Sequence, residues 1–199
     1  RFLILSMAYV PLQKRLRTDI AESLKKELKI DNVNALPRIS KVIVNVGLNQ
    51  GKYSAKDMQA FIAESLATIT GQKASVRRSK KAISNFNIRE NLVVGMATTL
   101  RGKQMYNFLD RLLHYALPRI RDFRGLPTKL DGHGNYAIGL TDQSIFPEIA
   151  APDAHKIFGL QIQITTTAGN DKNGMALLRQ IGMPFRKAQR TAKDVEKKA

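Results

Sequence analysis

The sequence has no cysteine and no tryptophan, and it has only 16 acidic residues against 33 basic ones. The lack of cysteine excludes disulfides, thiolate chemistry and most zinc sites. The three histidines, His114, His133 and His155, stand far apart without metal-ligand spacing, so we expect neither a metal nor a cofactor. The P-loop, the G-x-S-x-G elbow and the H-E-x-x-H zinc motif are also missing. We therefore predict that the protein is not an enzyme and has no catalytic residues.

Long apolar runs are missing as well. Residues 2–5 form a run of four apolar residues, whereas a signal-peptide core needs about 7–15 and a membrane span about 20. Met7-Ala8 resembles an ordinary translation start, so residues 1–7 are expected to be a non-native or disordered extension. The amphipathic segment 11–29 is the one candidate for binding a membrane surface, and we predict no membrane partner.

The excess of positive charge is the first indication of function. The net charge is +17 and the sequence pI is near 10.3, well above the roughly +2 to +8 that keeps a small domain soluble. Such a chain repels itself unless a polyanion neutralises it. Nucleic acid is the commonest polyanion of this kind, and an anionic membrane is the second.

Hydrophobic periodicity predicts alternating helices and strands within one domain, residues 8–187, followed by a basic, mobile tail at 188–199. Helices are predicted over 11–29, about 58–70, 102–117 and 172–181, and strands over 41–48, 74–78, 88–100, 135–141 and 160–167. In the strand 41–48, alternate valines share one face, while Asn45 and Gly47 lie on the other. A face that carries Asn and Gly suits contact with a partner better than a core.

The segment between the second and third predicted strands is strongly basic. From Lys73 to Arg89 it has six cations and no anion, so we predict a slim hairpin arm that binds RNA phosphates. Arg77, Arg78, Lys80 and Lys81 supply most of its charge, and Phe86 adds an aromatic ring that can stack or pack.

Two further segments are candidate phosphate sites. Thr99 and Arg101 lie just before a helix, where a phosphate or ribose can bind, or where they simply end a strand and cap the helix. Arg119 and Arg121 suit bidentate phosphate contacts, although Asp122 offers an internal partner for one of them.

Eight segments together resemble a known family. They are 44–47 (VNVG), 70–73 (TGQK), 99–102 (TLRG), 118–126 (PRIRDFRGL), 131–136 (DGHGNY), 145–149 (IFPEI), 159–168 (GLQIQITTTA) and 184–187 (PFRK). In this order they are similar to the ribosomal protein L5 family of the large ribosomal subunit, in its bacterial or organellar form.

The resemblance implies an α+β fold: a curved antiparallel sheet with helices packed on its convex face and a long basic hairpin arm. It implies a structural protein of translation that binds 5S rRNA, together with large-subunit rRNA, in the central protuberance. The residues expected to bind rRNA are Asn45, Gly47, Gln72, Lys73, Thr99, Arg101, Arg119 and Arg121.

The resemblance also implies that the arm contacts P-site tRNA and a protein of the small-subunit head. Arg77, Arg78, Lys80, Lys81 and Phe86 are the residues expected to do so. The location is expected to be the cytoplasm, bound to the ribosome, with an organellar ribosome left open. The alternative function is a general nucleic-acid-binding protein of the nucleoid type, which composition alone would permit.

Overall fold

Five strands form one antiparallel sheet in the computed structural model of the chain, which describes residues 10–49, 56–149 and 156–186. The strands are β1 (Ile39–Gly47), β2 (Ser75–Arg78), β3 (Val93–Leu100), β4 (Tyr136–Leu140) and β5 (Leu160–Thr166). Their order across the sheet is β2-β3-β1-β5-β4, so β1 is central and β2 and β4 form the edges. The sheet is not closed into a barrel. The predicted α+β class is confirmed.

Five α-helices accompany the sheet in the described ranges. They are α1 (Leu12–Arg17), α2 (Asp19–Leu28), α3 (Lys56–Thr70), α4 (Gly102–Arg111) and α5 (Asp171–Ile181). A π-helical turn, Leu112–Ala116, and a 3-10 turn, Leu117–Arg119, extend α4. The Asn170 side chain accepts a hydrogen bond from the Asn173 N–H and so caps α5.

The helices cover one face of the sheet only. Val42, Val44 and Val46 of β1 are fully buried, and the alternate residues of β5 and β4 are buried with them. They pack with apolar side chains of the helices, including Leu66 and Phe108, in one continuous core. Because side chains alternate across a strand, the remaining residues lie on the uncovered side, which we call the open face.

Three predicted elements differ from the structure by an interruption or by more than two residues at one end. The single helix predicted over 11–29 is two helices, because Thr18 has φ −108° and ψ −90° and interrupts the helical backbone. The helix predicted over 102–117 is α-helical only to Arg111. The strand predicted over 88–100 begins at Val93, because Asn91 has a positive φ and forms a turn. Periodicity detects the apolar face of an element but not these local backbone turns.

Two predictions concern residues outside the described ranges. The disordered extension at 1–7 and the mobile tail at 188–199 therefore remain predictions. Within residues 10–49, 56–149 and 156–186, no helix is long and apolar enough to cross a membrane.

Candidate nucleic-acid interface

The open face is a grid of small and polar side chains, aligned by the strand register. One row contains Gly139, Gln161, Asn45, Ala97 and Ser75, and the next contains Ala137, Gln163, Ile43 and Thr99. Side-chain amides or hydroxyls therefore stand on four of the five strands, and β4 contributes only the small residues Ala137 and Gly139. Such groups both donate and accept hydrogen bonds, as recognition of ribose, phosphate and base edges requires.

No strand residue on the open face carries a carboxylate, among the residues that the structure describes. Basic residues stand at its borders: Lys41 in β1, Arg77 in β2 opposite Gly95, and Arg101 directly after β3. Strand residues that are polar, bordered by cations and without carboxylates are electrostatically suited to a polyanion.

Two glycines on this face have no packing role in the protein. A Cβ atom built on Gly47 or on Gly139 would meet nothing within 4 Å, and neither has a positive φ. Glycine in a strand weakens it and leaves a gap in side-chain packing, and this gap gives another molecule room to approach the strand backbone closely. Gly95 is different, because its Cβ would lie 2.9 Å from the carbonyl oxygen of Val46.

Six of the eight residues predicted to bind rRNA lie along one side of this face. Asn45 and Gly47 lie in β1, and Thr99 lies in β3 opposite Ile43. Gln72 and Lys73 are exposed directly before β2. Since β2 and β3 are antiparallel, this point is at the same end of the sheet as Thr99 and Arg101.

The helix that follows Arg101 does not use Thr99 as a cap. Arg101 itself is the N-cap residue of α4, with extended backbone, and no side chain accepts a hydrogen bond there. The exposed Arg101 guanidinium and the half-buried Thr99 hydroxyl are thus not consumed by capping. This favours the binding interpretation of this segment over the capping one.

Arg119 and Arg121 lie elsewhere, beside the edge strand β4. Together with Gly139 and Thr141 they line a cavity of about 430 Å³. Both arginines are exposed, and no salt bridge joins either of them to Asp122 within the described ranges. The structure therefore places these two cations at the opposite border of the sheet from Lys73 and Arg101.

The predicted arm is a hairpin with its own hydrogen bonds. The Ser79 N–H donates to the Leu92 carbonyl at 2.8 Å, and Ile83 and Ile88 exchange two backbone bonds at 2.8 and 3.1 Å. Phe86 in the terminal turn is 69% exposed. The tip therefore presents an aromatic ring that the described protein residues leave uncovered.

The four basic residues predicted for the arm occupy three different positions. Arg77 belongs to β2 and extends the open face, whereas Lys80 and Lys81 are exposed on the loop beyond it. Arg78 donates from Nη1 to the Asn91 carbonyl at 3.1 Å and so ties the two sides of the arm together. Of the five residues predicted to form the contacting arm, Lys80, Lys81 and Phe86 thus lie beyond the end of β2.

The sequence reasoning missed three residues of the open face. Gln161, Gln163 and Thr165 alternate with buried Leu160, Ile162 and Ile164 along β5, and Gln161 pairs directly with Asn45. The strict alternation of apolar and polar residues at 160–165 was a sufficient signal for a half-buried strand. What it could not show was that this strand lies next to β1.

Nothing in the described ranges gathers three or more metal-ligating side chains. Burial raises the pKa of the Tyr136 hydroxyl to about 12. This hydroxyl donates to the Pro127 carbonyl at 2.5 Å, so it serves the packing of a loop.

An antiparallel sheet covered by helices on one side and open, polar and cation-bordered on the other defines an α+β protein whose open face is suited to a polyanion such as RNA. A family model described as "Ribosomal protein L5" matches residues 32–89, and one described as "ribosomal L5P family C-terminus" matches residues 93–185.

Similar proteins cover nearly the same span. Large ribosomal subunit protein uL5 of Synechococcus sp. (strain RCC307) is 51% identical over 176 residues, which is 88% of this chain and 98% of that protein. The uL5 protein of Prochlorococcus marinus (strain MIT 9313) and the uL5c protein of Paulinella chromatophora are each 49% identical over the same shares. The chain belongs to the ribosomal protein L5 family, and it is a structural, non-enzymatic, RNA-binding protein of the large ribosomal subunit.

Proposed function

We propose that this protein binds 5S rRNA through the open face and anchors it in the central protuberance of the large subunit. The observation that carries the proposal is the open face itself: a grid of amides and hydroxyls without a carboxylate, bordered by cations. The two glycines without a packing role, Gly47 and Gly139, support it because they let an RNA backbone approach the strands.

Recognition on this surface has two components. Lys73, Arg77 and Arg101 neutralise phosphates, which supplies affinity but carries no sequence information. Asn45, Gln161 and their neighbours supply hydrogen bonds to the ribose and to base edges, which depend on the shape of the folded RNA. The distance between Arg119 and the Lys73 border suggests that Arg119 and Arg121 bind a separate RNA segment, such as large-subunit rRNA.

The arm is proposed to contact P-site tRNA and a protein of the small-subunit head. Its own backbone hydrogen bonds support this role, because they give the tip a defined shape without help from the sheet. Exposed Lys80 and Lys81 suit tRNA phosphates, and exposed Phe86 suits a ring or an apolar surface.

A competition gel shift on 5S rRNA at near-physiological salt tests the proposal. Duplex DNA and an unrelated tRNA serve as competitors against unlabelled 5S rRNA. We expect binding to survive a large excess of both, since the amide and hydroxyl grid matches one folded RNA. If either competitor displaced the RNA as well as unlabelled 5S rRNA does, the free protein would be a general polyanion binder of the nucleoid type.

A salt titration separates the two components of binding. If about six phosphates are neutralised, the logarithm of the binding constant should fall with the logarithm of salt at a slope near −5. This slope should be similar for 5S rRNA and for the competitors. The preference for 5S rRNA should persist as salt rises, because it comes from uncharged groups.

A further inference from the structure

A cavity of about 560 Å³ opens at the β4–β5 edge of the open face, away from the eight residues predicted to bind rRNA. Its floor consists of Ala137, Gln163 and Thr165, which are open-face residues of the two strands. Pro127, Lys129, Leu130 and Asp131 form its wall. The cavity is therefore continuous with the surface proposed to bind RNA.

The wall of this cavity is held in place from both ends. The Tyr136 hydroxyl donates to the Pro127 carbonyl at 2.5 Å. At the other end, Asp171 of α5 accepts hydrogen bonds from the N–H groups of Gly132 and Gly134 at 2.9 and 3.0 Å. The loop between these points does not need to be ordered by a ligand, and a preformed cavity binds with less entropic cost.

The polar groups of the cavity differ from those of the rest of the face, because one of them is an anion. Asp131 accepts hydrogen bonds from the N–H groups of His133 and Asn135, and from the Asn135 side chain at 2.7 Å. The Asn135 side chain is the largest cause of a lowered pKa at Asp131, so the carboxylate is charged at neutral pH. A carboxylate repels phosphate but accepts hydrogen bonds from the amino groups of bases.

Other side chains that line the cavity also offer contacts suited to a base. Gln163 is exposed, and its side-chain amide makes no hydrogen bond within the described part of the chain. This amide can both donate and accept hydrogen bonds. Pro127 and Leu130 provide apolar contact for a ring. Ala137 is small enough to leave the floor open, although it sits in a strand where larger residues are favoured.

We propose that this cavity receives a nucleobase that bears an amino group (adenine, guanine or cytosine), unstacked from the bound RNA. The proposal rests on the RNA-binding function of the open face and adds a subsite to it. Uracil has no exocyclic amino group to donate to Asp131. The expected preference against uracil is about tenfold in affinity.

Titration of the free, isotope-labelled full chain with nucleoside monophosphates tests the subsite without 5S rRNA. At millimolar AMP, GMP or CMP, we expect NMR shifts of the Ala137, Gln163 and Thr165 amides, with weaker binding of UMP. Ala137→Ile should abolish these shifts, because the larger side chain fills the floor. The matched control, Ala60→Ile on the exposed side of α3, should retain them.

Four outcomes would overturn the proposal: no shifts at these positions, equal binding of UMP, the same shifts with ribose 5-phosphate, or shifts that persist in Ala137→Ile. A parallel gel shift on 5S rRNA keeps the two proposals apart. Selective 5S rRNA binding without nucleotide shifts would leave the function standing and remove the subsite. Nucleotide shifts without selective 5S rRNA binding would support the subsite and contradict the proposed function.

Discussion

The substitution Gly47→Val tests whether the open face is shaped for RNA or for the fold. Gly47 is the last residue of the central strand β1, and it pairs with Gly95 of β3. A Cβ atom at this position would meet nothing within 4 Å, and the backbone has no positive φ that would require glycine. The protein alone should therefore accept valine.

The expected change in stability follows from strand propensity. Glycine costs roughly 0.5–1 kcal/mol in a strand interior relative to alanine, and β-branched residues are favoured there. We expect Gly47→Val to leave the free energy of unfolding unchanged or to raise it by up to about 1 kcal/mol. The same isopropyl group would stand on the open face beside Asn45 and hold an RNA backbone away from the strand. Loss of the hydrogen bonds made there should weaken 5S rRNA binding at least about tenfold, or about 1.4 kcal/mol.

Two measurements on the same variants separate these effects. Urea unfolding gives the free energy of unfolding, and a filter-binding titration at fixed salt gives the RNA affinity. Gly95→Ala is the control for a glycine that the fold does require, since its Cβ would lie 2.9 Å from the Val46 carbonyl oxygen. It should lower the free energy of unfolding by about 1–3 kcal/mol.

Either of two results would refute the reasoning. If Gly47→Val bound 5S rRNA as tightly as the unsubstituted protein, the RNA would not approach this end of β1. If Gly47→Val destabilised the protein as much as Gly95→Ala, glycine would be needed for the fold. The glycine at position 47 would then give no indication of a binding partner.

Three further variants address the interface, the arm and the buried hydroxyl of Tyr136. Asn45→Ala should cost about 1–3 kcal/mol of RNA binding in the same filter assay, and an unchanged affinity would exclude Asn45 from the interface. Lys80→Ala combined with Lys81→Ala should leave 5S rRNA binding nearly intact but impair tRNA-dependent translation by reassembled ribosomes; loss of 5S rRNA binding would show that arm and sheet do not act separately. Burial raises the pKa of Tyr136 to about 12, above the value near 10 of an unfolded chain. The stability that this shift contributes is present below about pH 10 and is lost as the pH rises towards about 12. Tyr136→Phe should lack this part of the alkaline loss in urea unfolding at pH 9 and pH 11, and an identical loss in both proteins would contradict the assignment.

The residue pattern within a single helix or strand correctly predicted the features that depend on that element alone. The alternation around Asn45 and Gly47 correctly separated a covered face from a polar one, because side chains in a strand point to opposite sides. The helix at 172–181 was predicted within one residue of Asp171–Ile181, since the Asn170 cap marks its start in the sequence. The break at Thr18 was missed, because both halves of the segment keep the same apolar spacing.

The sequence by itself determined the polyanion partner, through its charge, and the family, through eight ordered segments. It also determined which residues of each strand could share a face. Only the tertiary structure decided which strands are neighbours, and so which polar residues meet: Gln161 lies beside Asn45 although 116 positions separate them in the chain. Strand order depends on how the covered face of the sheet packs against helices distant in sequence. For the same reason Arg119 and Arg121 could be predicted as binding residues from sequence, while their place beside β4, across the sheet from Arg101, could not.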